Sequence, residues 1–326
     1  MSGCSTLPLP SLPDLSSELM RLVAQVPPDG LTTYGDLARA LGSRNAAIWV
    51  SQWIRERSAM EPELASRVVD KLTAGSRPRF TGFSGPHALQ RLEDWLRAAA
   101  KFVDERPLGR APKLVAGIDV AYPAPDRATA AAVLVDVRTK TVVHELVVER
   151  PVDFPYISGF LTFRELPAMM AACESLAKQA YAPDVVMIDG QGRLHPHRGG
   201  VATGFAAATG LPTMGVAKSL LCGQVEKGGD ASTGAMIQRV LVGDEHLGFS
   251  LRATPKAQPV YISVGGGLSL DEVLGITLSL FTTTRLPLPT HRADRLSKST
   301  RRERLDPAAI LSRIRQFEER IDADLA

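Results

Sequence analysis

Four acidic residues have the sequence surroundings that a catalytic metal site needs. Asp119 lies in the middle of the apolar segment LVAGIDVAY, and Asp189 ends the apolar segment VVMIDG. Glu165 falls in FPYISGFLTFRE, and Asp294 falls in LPLPTHRADRLS. A carboxylate inside an apolar strand is costly unless a partner or a metal ion compensates its charge. Bonding to backbone N–H groups explains one such residue equally well, but two on neighbouring strands favour a shared site.

These acids would support the hydrolysis of a phosphodiester. Mg²⁺ prefers hard oxygen ligands and keeps several of its waters. Two such ions about 3.5–4 Å apart would activate a water and stabilise the leaving oxygen. The spacing along the chain does not establish that the four acids meet in space.

One cation and two glycines accompany the acids. Lys218, in the segment GVAKS, would hold the scissile phosphate or pair with one of the acids. Gly190 and Gly192, in DGQGRLHPHR, would let the backbone approach a planar ligand, although an ordinary turn explains them as well.

Histidines and one aromatic residue extend the candidate site. His195, His197 and Arg198 favour phosphate contact over zinc ligation, because no His or Cys partner lies at metal spacing. Tyr156, in PYIS, would stack on a base or wedge between bases, or it would be a core tyrosine with a bonded hydroxyl.

Hydrophobic periodicity predicts the elements that position these residues. From residue 113, three apolar and β-branched segments predict an antiparallel meander with a turn at 138–140. Helices over 163–180 and 198–209 then alternate with the strands VVMIDG and TMGVAKS, which predicts parallel strands joined by crossover helices. A pair of strands around 238–253, the strand PVYISVG and a helix from about 269 to 282 complete a mixed α/β layer.

The beginning of the chain is predicted to be helical. A helix capped by Ser16 or Ser17 is followed by a helix capped by Thr33, which ends at Gly42, and by a helix from Asn45 to Arg57. Two short helices joined by a tight, glycine-containing turn are the helix-turn-helix signature.

Composition divides the chain further. At 326 residues, two domains are expected. We predict a disordered leader (1–14), a small all-α helix-turn-helix domain (15–72), a flexible linker rich in Gly, Ser, Pro and Arg (73–86) and an α/β domain (87–326).

Hydropathy, cysteine content and charge limit the possible functions. The sequence has neither an apolar run of about 20 residues nor a secretion signal, so no membrane association is expected. Three distant cysteines form no disulfide or metal pattern, which indicates a reducing, cytoplasmic location. The net charge is +3, and the basic residues gathered at 292–304 fit a solvated face or a surface that follows phosphates.

Five motifs occur in the order and approximate spacing found in one enzyme family: GIDVAY, FPYISGFLTFRE, DGQGRLHP, GVAKSLLCG and RLPLPTHRADRLS. Over about residues 88–300, the chain resembles endonuclease V. The resemblance implies a ribonuclease-H-like mixed sheet flanked by helices, and hydrolysis with Mg²⁺ or Mn²⁺. It also implies a cut at the second phosphodiester 3′ to deoxyinosine in DNA, or at inosine in RNA in some members.

The resemblance also assigns roles. The metal-binding and catalytic acids would be Asp119, Glu165, Asp189 and Asp294. Lys218 and His195 would handle the phosphate, Gly190 and Gly192 would line the base pocket, and Arg198 would bind substrate. The strand-wedging loop would contain Pro155, Tyr156, Ile157 and Gly159. Three positions depart from the family pattern: Ser158 replaces a proline, His197 an arginine and Gly266 a histidine.

A second resemblance covers about residues 16–57. VPPDGLTTYGDLARALGSRNAAIWVSQWIRE is similar to the DNA-binding helix-turn-helix of alkylguanine-DNA alkyltransferases. Their Pro-Cys-His-Arg active site does not follow, and Ile48 stands where they have a base-displacing arginine, so alkyl transfer is not expected. Contacts with DNA are expected from Thr33, Tyr34, Arg44, Asn45 and Trp49. Trp49 would be either an intercalating plug or a core residue.

Two other functions remain open at this point. The chain could act chiefly on inosine in RNA, or it could bind DNA lesions without cleaving them. The helical unit could contact a protein partner instead of DNA. Downstream repair proteins are possible partners, and the sequence implies no oligomer.

Overall fold

The protein is described by a computed structural model, which covers residues 6–71, 77–85, 87–230, 236–254 and 257–305. The helices of this part of the chain are α1 (Leu15–Ala24), α2 (Tyr34–Ala40), α3 (Ala47–Arg57), α4 (Pro62–Ala65), α5 (Ala88–Phe102), α6 (Leu161–Lys178), α7 (Val201–Thr209), α8 (Leu270–Leu280) and α9 (Leu288–Leu305). Within the same residues, no helix is both long and apolar enough to cross a membrane.

A nine-stranded mixed sheet is the centre of the fold. Two short strands, β1 (Thr32–Thr33) and β2 (Val68–Val69), pair separately. The strands of the large sheet are β3 (Leu114–Ala124), β4 (Arg127–Asp136), β5 (Thr141–Pro151), β6 (Val185–Asp189), β7 (Thr213–Ala217), β8 (Gln224–Val225), β9 (Met236–Val242), β10 (Glu245–Arg252) and β11 (Val260–Gly266). They lie in the order β5-β4-β3-β6-β7-β11-β10-β9-β8.

The pairing of the strands confirms the predicted mixed α/β layer. The strands β3, β4 and β5 form the expected antiparallel meander. The strands β3, β6 and β7 are parallel, and they are reached through α6 and α7. This order places Asp119 on β3 beside β6, the strand that ends in Asp189, because parallel neighbours end at the same edge of a sheet.

The sequence analysis did not predict helix α9. Its first turns bury small residues at helical spacing, Thr290, Ala293 and Ser297, each with no exposed surface. That stripe lets the helix lie close to the sheet, where a Cβ on Gly117 would come 2.2 Å from the Pro289 carbonyl carbon. The exposed basic side chains of Arg292, Arg295 and Lys298 therefore belong to a helix whose opposite face is buried.

Two predictions about the N-terminal part of the chain are wrong for the described residues. Residues 6–14 were expected to be disordered, but Leu7 N–H donates to Ala207 O and Pro8 O accepts from the Trp95 indole. The helical unit was expected to be all-α, but β1 pairs with β2 beside its helices. Residues 1–5 lie outside the described part of the chain.

The expected flexible linker is also wrong over 77–85, because this segment packs on the helical unit. Phe80 N–H donates to Leu31 O, and the Arg79 guanidinium binds the buried carboxylate of Asp36 at 2.6 and 3.0 Å. One continuous apolar core then joins α1, α2 and α3 to α5 and to the large sheet. The helical unit is thus fused to the α/β part, while 72–76 and 86 lie outside the described residues.

The Asp36 carboxylate is expected to stabilise this packing in a pH-dependent way. Burial alone would raise its pKa, but hydrogen bonds from Arg79, Thr33 and Arg39 lower the pKa of Asp36 to about 2. A lowered pKa stabilises the fold above the ordinary value near 4, and this contribution disappears as the pH falls towards 2. Asp36→Asn should therefore cost on the order of 2 kcal/mol at neutral pH.

Thermal melts of the wild type and the variant between pH 7 and pH 2 measure this contribution. The two melting temperatures should converge as the pH falls. A difference between them that stays constant with pH would contradict the assignment.

Candidate active site

Three of the four predicted acids meet at the edge of the sheet. One carboxylate oxygen from each of Asp119, Asp189 and Asp294 lies within 4.8 Å of the other two. The sheet supplies the first two from β3 and β6, and α9 brings in Asp294 beneath them. The fourth acid, Glu165 on α6, is not in this group, although it is buried nearby.

Burial and mutual repulsion raise the pKa values of two of these acids. Burial, together with the charge of Asp189, raises the pKa of Asp119 to about 7. Burial also raises the pKa of Glu165 well above its ordinary value, and the charges of Asp119 and Asp189 add to this effect. The Tyr122 hydroxyl donates to Glu165 Oε1 at 3.3 Å, which opposes the shift in part. The raised pKa values mean that Asp119 and Glu165 bind protons more readily than ordinary carboxylates when no cation is present.

Two lysines offset part of that charge. Lys218 Nζ lies 2.5 Å from Asp189 Oδ2 and also donates to Asp294 Oδ1, and Lys298 Nζ donates to the same Asp294 oxygen at 2.6 Å. Burial would raise the pKa of Asp294, but the hydrogen bonds from the two lysines outweigh it and hold the pKa below its ordinary value. Asp294 is therefore ionised at neutral pH, as a metal ligand must be.

The donor set fits a divalent cation that prefers oxygen. Three carboxylates converge, and no Cys or His joins them among the residues that the structure describes. Burial and the neighbouring charge of Asp189 already raise the pKa of Asp119. A bound cation would relieve that repulsion.

A pocket of about 160 Å³ opens beside the carboxylates. Its lining comes from the 155–159 loop, from the segment after β6, from the start of α7 and from the segment after β7: Tyr156, Ser158, Gly159, Leu161, Thr162, Gln191, His195, Gly200, Val201, Ser219 and Leu221. Gln191 Nε2 donates to Ser219 O at 2.6 Å and joins two of these walls. Since Gln191 follows Asp189 closely and Ser219 follows Lys218, the pocket adjoins the acids.

The 155–159 loop divides between the core and the surface. Tyr156 is 66% exposed, which fits the stacking or wedging expectation better than the core alternative. Ile157 is buried, so in this structure its side chain lies in the core and not at the surface. Pro155 is half-buried beside it.

His195 differs from the expected phosphate-binding histidine. Its ring is buried, and burial beside His197 lowers its pKa to about 4, so the ring is neutral. The Nδ1 atom accepts from His197 N–H at 3.2 Å, which leaves the other ring nitrogen to donate to the Gly159 carbonyl. His195 thus holds the 155–159 loop.

The two glycines after β6 are required for packing. A Cβ on Gly190 would meet Val201 Cγ1 at 2.3 Å, and a Cβ on Gly192 would meet Val264 O at 2.2 Å. Neither glycine lines the pocket; Gln191 between them does. Arg198 donates to Glu245 at 2.7 Å, so its guanidinium already has a protein partner.

The candidate residues of the helical unit fall into two groups. Thr33 caps α2, where its hydroxyl pairs with Asp36, and Tyr34 packs partly against the core. Arg44 and Asn45 are exposed just before α3. Trp49 was considered as an exposed plug, but it is half-buried against the core, whereas its neighbour Ile48 is 80% exposed.

Several site residues were missed by the sequence analysis. Ser297 donates to Asp119 Oδ2 at 2.5 Å, and Lys298 contacts Asp294, both from the unpredicted helix α9. Arg285 donates to the Lys218 carbonyl at 2.5 Å. Gln191 and Ser219 line the pocket, and their positions inside the DGQG and AKS motifs were the available signal.

A mixed sheet that gathers aspartates at one edge, with lysines beside them, defines a class of metal-dependent phosphodiester hydrolases. The family model for endonuclease V matches residues 97–295. The chain therefore belongs to the endonuclease V family, and it is a metal-dependent endonuclease of DNA repair.

Known relatives agree with this assignment. Endonuclease V from Xanthomonas campestris is 40% identical over 223 residues, which is 68% of this chain and 91% of the relative. The solved endonuclease V from Streptomyces avermitilis is 35% identical, with a TM-score of 0.60 over 69% of this chain and 96% of the other. The catalytic domain of human endonuclease V aligns with a TM-score of 0.59 at 29% identity, over 68% of this chain and 99% of the other.

Proposed function

We propose that this endonuclease cleaves the second phosphodiester bond 3′ to deoxyinosine in DNA and uses Mg²⁺, for which Mn²⁺ substitutes. The observation that carries the proposal is a pocket that adjoins the carboxylate cluster and lies beside the exposed Tyr156. An extruded base would enter the pocket while its backbone crosses the acids. An endonuclease V from Ciona intestinalis, 22% identical, has been solved in complex with DNA that contains an inosine followed by a ribo-adenosine.

Each of the site residues would have a distinct role in the reaction. Asp119, Asp189 and Asp294 would hold the metal, and Glu165 would act from the neighbouring helix. When bound, the metal activates a water and stabilises the leaving oxygen. Lys218 would bind the phosphate at the cut, and the products would carry 3′-hydroxyl and 5′-phosphate ends.

We also propose that residues 15–72 form a DNA-binding unit beside a nuclease domain over 87–326, of which 306–326 lie outside the described residues. The exposed Arg44 and Asn45 before α3 support this role. Contact with a protein partner is the alternative. Because the unit shares its core with α5, deleting it would expose apolar surface, so its role has to be tested by substitutions of exposed side chains.

Cleavage of end-labelled duplexes tests the proposed substrate. Matched duplexes with deoxyinosine or adenine at one position are incubated with the protein in Mg²⁺, in Mn²⁺ and in EDTA. The expected product is a nick one nucleotide beyond the inosine, absent from the adenine duplex and in EDTA. A DNA ligase should reseal this nick directly, since its ends are a 3′-hydroxyl and a 5′-phosphate held side by side on the intact complementary strand.

The same assay on inosine-containing RNA separates the alternatives. Faster cleavage of the RNA than of the DNA duplex would indicate that inosine-containing RNA is the main substrate of the same active site. Tight binding of the inosine duplex without a nick in either metal would instead indicate a lesion-binding protein. Equal cleavage of the adenine duplex would remove inosine as the specific target.

A further inference from the structure

The helical unit touches the 155–159 loop of the nuclease part at one defined point. A Cβ placed on Gly159 would lie 3.1 Å from Asn45 Nδ2, so the Asn45 amide packs directly on the Gly159 α-carbon. Gly159 also has a φ of +83°, a conformation that favours glycine, and its carbonyl accepts a hydrogen bond from His195. The loop is therefore held at Gly159 from two sides, by His195 of the nuclease part and by Asn45 of the helical unit.

This contact is supported by a rigid connection behind it. Leu89 N–H on α5 donates to Leu41 O at the end of α2, and the His87 ring hydrogen-bonds Ala40 O at 3.0 Å. A Cβ on Gly42 would meet the backbone nitrogen of Gln90 at 2.7 Å, so α2 and α5 are in direct contact. The helical unit consequently cannot swing away from the loop without breaking packed core.

Two exposed apolar side chains flank the contact. Ile48 is 80% exposed and follows Asn45 by less than one helical turn, and Tyr156 is 66% exposed and precedes Gly159 by the same number of residues. Three residues span at most about 10 Å, so both side chains lie close to the junction. Exposed aromatic side chains beside positive charge are typical of surfaces on which the bases of a nucleic-acid strand stack. The exposed Arg44 adds positive charge at the same place.

We infer that the start of α3 and the 155–159 loop form one strand-binding surface, in which Asn45 positions the loop and Ile48 contacts the bases beside Tyr156. The occupant is the nucleic-acid strand next to the deoxyinosine, because Tyr156 and Gly159 of this surface also line the pocket. This inference rests on the proposed function. It replaces the picture of a tethered DNA-binding module with a helical unit that is part of the substrate groove.

Steady-state cleavage of the deoxyinosine duplex by full-length variants tests the contact of Ile48. Ile48→Ser should raise KM about tenfold, the scale of one lost base contact, and leave kcat unchanged. Met60→Ser is the matched control, because Met60 is 76% exposed on the same unit beyond the other end of α3 and should not change KM. Both side chains are exposed, so the melting temperature of each variant should equal that of the wild type.

The positioning role of Asn45 requires a double-mutant cycle. Asn45→Ala should raise KM about fivefold in the wild type, but it should have no effect in the Tyr156→Ala background, since Asn45 acts through the loop that presents Tyr156. A 2-aminopurine placed 3′ to the inosine reports unstacking. The rise in its fluorescence on binding should be smaller for Asn45→Ala and for Tyr156→Ala than for the wild type.

The outcomes separate this inference from the proposed function. If Ile48→Ser has the same KM as wild type and Met60→Ser, the strand contact is wrong, although inosine cleavage stands. Additive effects of Asn45→Ala and Tyr156→Ala would overturn the positioning role. Failure of the proposed function looks different, because the wild type and Met60→Ser would then both leave the inosine duplex uncut.

Discussion

Asp119→Asn should lower the rate of cleavage by about a thousandfold, the scale expected when a metal-assisted step loses one of its charged ligands. Asp119 shares the cluster with Asp189 and Asp294, and its carboxylate is fixed by the Ser297 hydroxyl. The amide oxygen of asparagine can still accept from Ser297, so the fold should survive. In EDTA the variant should melt no lower than the wild type, because the substitution removes a buried charge that Asp189 repels.

A thermal melt with and without Mg²⁺ connects this loss to the metal. A cation that binds the folded state raises the melting temperature of the wild type, and Asp119→Asn should lose most of that rise. Asp126→Asn is the control, because Asp126 is an exposed aspartate in the turn of the same β3–β4 hairpin. Cleavage by Asp119→Asn at the wild-type rate would show that the cluster is not the catalytic centre.

Gly117→Ala should reduce cleavage by about a hundredfold although it leaves every carboxylate in place. A Cβ at Gly117 would lie 2.2 Å from the carbonyl carbon and 2.7 Å from the Cβ of Pro289, so the start of α9 must move. That helix carries Asp294, and a displacement of about 1 Å in a catalytic group can cost this much in rate. Overpacking should also cost about 1–3 kcal/mol of stability.

Gly275→Ala is the matched control for this substitution. Gly275 lies within α8, and a Cβ there would meet no atom within 4 Å. Its replacement by alanine should leave the rate unchanged and stabilise the helix by about 1 kcal/mol. If Gly117→Ala cleaves as fast as Gly275→Ala, the seating of α9 on β3 does not set the position of Asp294.

Regular hydrophobic patterns made much of the sheet predictable. The strands β3 to β5 are apolar and β-branched with short turns between them, and the structure has the expected meander. Helix α9 was not predicted because its exposed positions are basic, while its buried stripe consists of Thr290, Ala293 and Ser297. Such small residues give almost no hydrophobic signal, yet they are what a close approach to a sheet requires.

The differences between expectation and structure in the helical unit have another physical origin. Composition suggested that 77–85 was flexible, but its order depends on the contact of Arg79 with Asp36, and long-range pairs leave no local signal. Trp49 and Ile48 are neighbours on α3, so a difference of one position turns a side chain by about 100° around the helix. Of the two alternatives left open for Trp49, the structure favours the core, and Ile48 is the exposed side chain.

The acids themselves could be named from the sequence, because each stood in a recognisable motif. The sequence could not predict the distances between the acids or which other side chains contact them. Lys298 and Ser297 join the site only because α9 folds back under β3, and Glu165 remains beside the cluster because α6 buries it with Tyr122. Such relations arise from tertiary packing of distant segments.

The segment that precedes α1 has a consequence for how the chain is made. Leu7 bonds to Ala207, which is translated 200 residues later. At roughly 5–20 residues per second, a ribosome would need about 10–40 s to supply that partner. The segment before α1 therefore cannot dock until α7 has been synthesised. Its docking comes late in biosynthesis and follows the completion of the α7 region.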